Sequence, residues 1–105
     1  MALDVIVLYG PPADPAAFDR HYRDVHTPLV HAMPHLVAFE HSTGAVAVQG
    51  EGAYHLVARL RFPSQAAHEA SLASPEGAAA VADVANFADG GVTILTVEVV
   101  EPARR

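Results

Sequence analysis

Apolar positions along the chain follow two rhythms, and the changes between them mark the elements. Val5-Ile6-Val7-Leu8-Tyr9 is β-branched and aromatic-rich and stops at Gly10-Pro11-Pro12, which predicts a strand ended by a turn. Asp14-Pro15 then supplies a helix N-cap with proline in the first helical position. Phe18, Tyr22, Val25 and Leu29 follow at spacings of four, three and four, one apolar face of a helix. Pro28 has no N–H for the carbonyl four residues back, so this helix is expected to kink or restart near Thr27 and to end at Met33-Pro34-His35.

Leu36 to Ser42 predicts a second strand, followed by a glycine-punctuated connection from Thr43 to Ala53. From Tyr54 to Phe62, Leu56, Ala58, Leu60 and Phe62 alternate with His55, Val57, Arg59 and Arg61, a strand with two unlike faces. Pro63-Ser64 opens a short helix to about Leu72, and Ser74-Pro75 starts another that is expected to carry Val81, Val84 and Ala88 inward. Asp89-Gly90-Gly91 breaks it, and Val92 to Val100 is the last strand. The order β-α-β-β-α-β predicts an α+β, ferredoxin-like domain over residues 1–105, with a four-stranded antiparallel sheet and both helices on one face.

The opposite sheet face, expected to carry Ile6, Leu8, Val57 and Ile94, has no helix to cover it. Composition sharpens that point: 51% of 105 residues are hydrophobic and mean hydropathy is +0.22, more apolar surface than so small a domain buries alone. A homodimer that packs sheet on sheet, closing a dimeric α+β barrel, would cover the face and the strand edges. With Leu95, Val97 and Val99 phased toward the helices, Arg59, Arg61 and Glu98 become the polar groups such an interface must satisfy. Their roles divide between a structural ion pair and substrate binding.

Charge and residue types exclude several functions. Twelve acids against six arginines, with no lysine, give a net charge of −6, the wrong sign for nucleic acid. The apolar run Val5–Tyr9 is too short for a signal segment or a membrane span, so the expected location is cytoplasmic, with no membrane partner. No cysteine means no disulfide, no thiolate nucleophile and no sulfur-ligated zinc, and no lysine removes Schiff-base chemistry. Gly44, Gly50 and Gly52 lack the strand-to-helix context of a phosphate loop, and no serine elbow or paired carboxylates are evident.

Seven histidines remain. His21, His26 and His31 are five apart, a turn of about 140° each, and so point three ways. Only His31 and His35 have helical metal-pair spacing, across Pro34, and neither a metal nor another cofactor is expected. His21, His31, His41 and His68 read as surface residues. His26 lies about 40° from Tyr22 at the border of the apolar stripe, directly before the Pro28 break. It faces the gap between helix and sheet, as a general acid/base or as a half-buried histidine bonded to a freed carbonyl. Tyr9 and Tyr54 are pocket lining or core, and Asp83, Asn86 and Asp89 around Phe87 read mostly as a solvated face.

Taken together, these residues resemble the EthD family of small dimeric α+β barrel proteins. The likeness runs through Tyr9, Asp14-Pro15 with Phe18 and Tyr22, Val25-His26-Thr27-Pro28-Leu29 with Pro34, Phe62, Ser74-Pro75-Glu76, and Asp83 with Phe87. Its most specific part is aromatic-x-x-x-His-x-Pro-Leu, and one departure is His35, where relatives commonly have glycine. The resemblance implies a homodimer and a cavity between sheet and helices for a small, mostly apolar organic ligand. Members are associated with degradation of ethers and other small organic compounds, and similar barrels include cofactor-free monooxygenases, isomerases, cyclases and plain binding proteins. The expectation is therefore proton transfer by His26, oriented by Tyr22, with Tyr9, Phe18, Leu29 and Phe87 contacting the ligand. The alternatives are a non-catalytic carrier that hands a metabolite to a partner oxygenase, and a structural dimer without ligand.

Overall fold

The computed structural model describes residues 1–100. The elements are β1 (Ala2–Tyr9), α1 (Pro15–His21), a π-turn (Tyr22–His26), α2 (Thr27–His31), β2 (Ala38–His41), β3 (Leu56–Phe62), α3 (Gln65–Ala73), α4 (Pro75–Asp83), a 3-10 turn (Val84–Asn86) and β4 (Val92–Val99). The strands form one antiparallel sheet in the order β2-β3-β1-β4, the ferredoxin-like arrangement. Side-chain caps place the helices: Asp14 accepts from the Ala17 N–H, Ser64 from Ala67 and Ser74 from Gly77, with Pro15 and Pro75 in the first turns. His35 sits at φ 66°, in the left-handed region that glycine favours. Among the described residues no helix is long and apolar enough to cross a membrane.

The core lies between the sheet and the helices, built from Val5, Val7 and Tyr9 of β1, the alternate residues Leu56 to Phe62 of β3, and Phe18, Tyr22, Val30, Ala80 and Phe87 from the helical layer. In α4 the inward face is Gly77, Ala80 and Asp83. Gly77 is drawn so close to the Ser71 carbonyl of α3 that a Cβ there would stand 1.9 Å from its oxygen. That contact sets the helix's rotation, and Val81, expected inward, is 57% exposed, while Val84 and Ala88 pack partly against the core.

The last strand has the opposite phase to the one expected. Ile94 pairs with Val7 and Glu98 with Leu3, so both lie on the helix face, and Leu95 and Val97 take the open face opposite Ile6 and Asp4. The helix-face set, Val92, Ile94, Thr96 and Glu98, is the more polar of the two, so alternation points to the opposite phase and the pairing with β1 overrides it. Arg59 and Arg61 do lie on the open face, but their partner is Asp4, not Glu98. Arg61 donates to Asp4 at 2.7 and 3.0 Å, and Arg59 lies 3.7 Å from Asp4 and bonds Glu40 on β2. The Arg61 hydrogen bonds hold the Asp4 carboxyl below its ordinary range against the opposing effect of burial. At the sheet edge, Ile94 is 56% exposed on one face and Leu95 46% on the other, so β4 lacks full cover on both sides.

Candidate active site

The site begins with an irregularity in the first helical segment. α1 passes into a π-turn in which the Thr27 N–H reaches back five residues to the Tyr22 carbonyl. His26 and Thr27 keep right-handed helical angles, so the chain neither breaks nor restarts before Pro28; it widens by one residue. The extra residue shifts the inward face. In place of the expected Phe18-Tyr22-Val25-Leu29 stripe, the buried positions are Phe18, Tyr22, His26 and Val30, and Val25 is 42% exposed. His26 is thereby moved from the border of the stripe into its centre, 5% exposed.

There it meets a carboxylate. His26 Nδ1 lies 3.0 Å from Asp83 Oδ2 at the end of α4, and the ring packs 4.7 Å from Phe87 and 5.2 Å from Tyr22. Asp83 also accepts from Asn86 at 3.1 Å and from His21 Nε2 at 2.9 and 3.1 Å. The solvated-face reading of Asp83 and the surface reading of His21 are both corrected: the aspartate is buried, and His21 turns inward to it and stacks on Phe87. Burial pushes the Asp83 carboxyl up, but hydrogen bonds from Asn86, His21 and His26 together hold it below its ordinary range. Burial lowers the His26 imidazole below its usual value despite the pull of Asp83. A neutral His26 with Nδ1–H donating to the carboxylate leaves Nε2 as the basic nitrogen.

His26 forms part of the wall of an apolar cavity of about 340 Å³ between sheet and helices, which Val7, Tyr9, Tyr22, Ile94 and Val81 also line. Burial raises both tyrosine phenols well above their ordinary value, so they stand as protonated donors. His68, read as a surface residue, is half-buried, packs 5.0 Å from Phe62 and lines the same cavity, where burial lowers its imidazole. Leu72, Val81 and Ile94 are wall residues that are also exposed, which marks the side on which the cavity meets solvent.

Of the expected ligand contacts, Tyr9 and Tyr22 are on this wall. Phe18 and Phe87 are buried core residues that line a separate groove, and Leu29 packs partly against the core. Tyr22 packs against His26 with its ring tilted by 43°, whereas the hydrogen bond that orients the imidazole comes from Asp83. A larger cleft of about 660 Å³ is lined by Tyr22, Thr27, His41, Tyr54 and His55. Its histidines are already engaged, His41 with the Ser42 carbonyl and His55 with Asp19, and neither is buried. The pair in which both the imidazole and the carboxylate are buried, His26 and Asp83, belongs to the smaller cavity.

Comparison with known proteins agrees with this architecture. The EthD domain family matches residues 10–91. An uncharacterised 11.0 kDa protein from the thcB–thcC intergenic region of Rhodococcus erythropolis is 45% identical over 91 residues, 87% of this chain and 88% of that protein. The crystal structure of an ethyl tert-butyl ether D (EthD) family protein from Bacillus halodurans is 27% identical with a TM-score of 0.85, covering 95% of this chain and all of that one (100%). SnoaB, a cofactor-independent oxygenase from Streptomyces nogalater, shares the fold at 10% identity with a TM-score of 0.69, over 99% of this chain and 98% of its own. By the family match and the relative at 45% identity, the chain, whose cavity wall carries His26 of the His26-x-Pro28-Leu29 segment, belongs to the EthD family.

Proposed function

We propose that each protomer binds a small, mostly apolar organic molecule in the cavity beside His26, and that His26 Nε2 removes a proton from it. The observation that carries this reading is a buried histidine, backed by a carboxylate, in the wall of an otherwise largely apolar cavity. Water exclusion strengthens the His26–Asp83 hydrogen bond and favours a ligand whose acidic C–H or O–H is flanked by apolar surface. Loss of that proton yields a carbanion, enolate or phenolate. Such an anion can be reprotonated elsewhere, can close a ring, or can react with oxygen without a cofactor, the activity for which SnoaB, of the same fold, is named. In this reading Tyr9 and Tyr22, protonated and on the same wall, donate to the developing oxyanion.

The assembly that goes with this reading is a homodimer. Leu95 and Val97 on the open face, beside an edge strand exposed on both sides, favour a second sheet packed against the first. The test is thermal denaturation with a panel of apolar ketones, phenols and hydroquinones, followed by turnover assays on any compound that stabilises the protein. Stabilisation by at least one compound is expected, with turnover that falls on the order of 100-fold or more in His26→Gln while binding persists. Binding without His26-dependent turnover would favour the carrier alternative, and no stabilisation by any compound would count against both.

A further inference from the structure

His26 and His21 share one carboxylate but open onto different spaces. His26 Nδ1 lies 3.0 Å from Asp83 Oδ2, and His21 Nε2 lies 2.9 Å from Oδ1 and 3.1 Å from Oδ2. His26 lines the apolar cavity, whereas His21, its side chain 27% exposed, lines a groove of about 330 Å³ that has no lining residue in common with the cavity. A buried carboxylate stabilises one adjacent cation, and a second imidazolium on the same group is opposed by the first. Consistent with this, a positive charge on His21 lowers the proton affinity of His26, adding to the effect of burial.

We propose that His21 is the counterbalancing partner of His26: Asp83 supports one imidazolium at a time, on the groove side before reaction and on the cavity side after His26 has taken a proton. The exchange balances without moving a proton through the aspartate. At His26, the ligand's C–H or O–H bond breaks, its electron pair stays on the ligand, and an N–H bond forms at Nε2. At His21, the N–H bond of the ring nitrogen not bonded to Asp83 breaks and the proton passes to water in the groove. The buried cluster begins and ends with the same net charge, so the base is not opposed by a second buried cation.

The other titratable groups around the pair are accounted for. Tyr9 on β1 and Tyr22 on the same helical segment stay protonated, and His68 on α3 lines the cavity. Asp14 and Asp89 line the groove, the first accepting from the Ala17 N–H and the second from Ala13.

The inference rests on His26 as the base, but its test does not use turnover. Full-length protein with ¹⁵N-labelled histidine is titrated by NMR, alongside His21→Gln and His26→Gln, with circular dichroism to check each fold. In the wild type, the His21 and His26 curves are each expected to show two inflections. In His21→Gln the His26 midpoint should rise by about one pH unit or more, and in His26→Gln the His21 midpoint should rise by a similar amount. Single-step wild-type curves would overturn the proposal even if neither variant folded, and unmoved midpoints in folded variants would do the same. Coupled titration with no His26-dependent turnover would instead remove the base and leave the coupling.

Discussion

Asp83 Oδ2 stands 3.0 Å from His26 Nδ1, and this one contact joins the end of α4 to the middle of the first helical segment. The carboxylate also holds His21 and Asn86, so its removal strands three donors at once. Asp83→Ala should cost about 3 kcal/mol, measured by urea denaturation, and Asp83→Asn should cost less because the amide oxygen still accepts. A variant as stable as wild type would mean that the network contributes little to the fold.

The same groups set a dependence on pH. The folded His26 and His68 imidazoles lie below their ordinary 6.5, so as pH falls past that value the unfolded chain takes up protons that the folded chain resists. Stability should therefore fall on acidification, beginning near pH 6.5 and continuing to the lower folded values. Asp4 and Asp83 lie below 3.8 when folded; their contribution is present above that value and is lost as pH drops through the folded values. Urea midpoints should hold from pH 8 to about 7 and decline from there to pH 4, and His26→Gln should flatten the upper part of the decline. A flat wild-type profile from pH 7 to 5 would contradict the depressed imidazoles.

Gly77 offers a test in which two effects have opposite sign. Helix propensity alone makes Gly→Ala stabilising by about 1 kcal/mol. Here the added methyl would stand 1.9 Å from the Ser71 carbonyl oxygen, a backbone atom. Gly77→Ala should therefore destabilise by roughly 2 kcal/mol, with the loss read from the thermal midpoint. A gain in stability would show that α3 and α4 can separate at no cost.

Assembly is tested on the open face. Leu95 is 46% exposed there and lies opposite Ile6. Leu95→Arg should shift the protein from dimer to monomer in sedimentation equilibrium at micromolar concentration, with the protomer still folded. A wild-type protein that sediments as a monomer would dispose of the homodimer directly.

The termini of the helices were readable because each is written locally. Asp14-Pro15 and Ser74-Pro75 state both the cap and the first turn, and the β-rich runs at either end of the chain could only be strands. Three features were not readable, each for a physical reason. The phase of β4 depends on its pairing with β1, which sets the more polar alternate residues, Thr96 and Glu98 among them, on the helix face. His26 was legible as facing the gap between helix and sheet, but its place at the centre of the buried stripe rather than at its border depends on a π-turn, which a count at 3.6 residues per turn does not contain. Asp83 looked solvated because its two histidine partners are 57 and 62 positions away, and Phe87, four residues on, was a local sign of burial.

The π-turn also determines how local the site is. On either side of it the apolar stripe continues, through Phe18 and Tyr22 before and Val30 after, and the surplus residue, Val25, is turned outward. A basic group has thus been set into a hydrophobic seam by changing the residue count of a single turn, with the flanking helix left in place. The chemistry and the scaffold are separable to that extent: other side chains substituted at position 26 would inherit the same cavity, the same carboxylate behind it and the same solvent-facing histidine. The fold is in this sense a socket, and His26 is the fitting it holds.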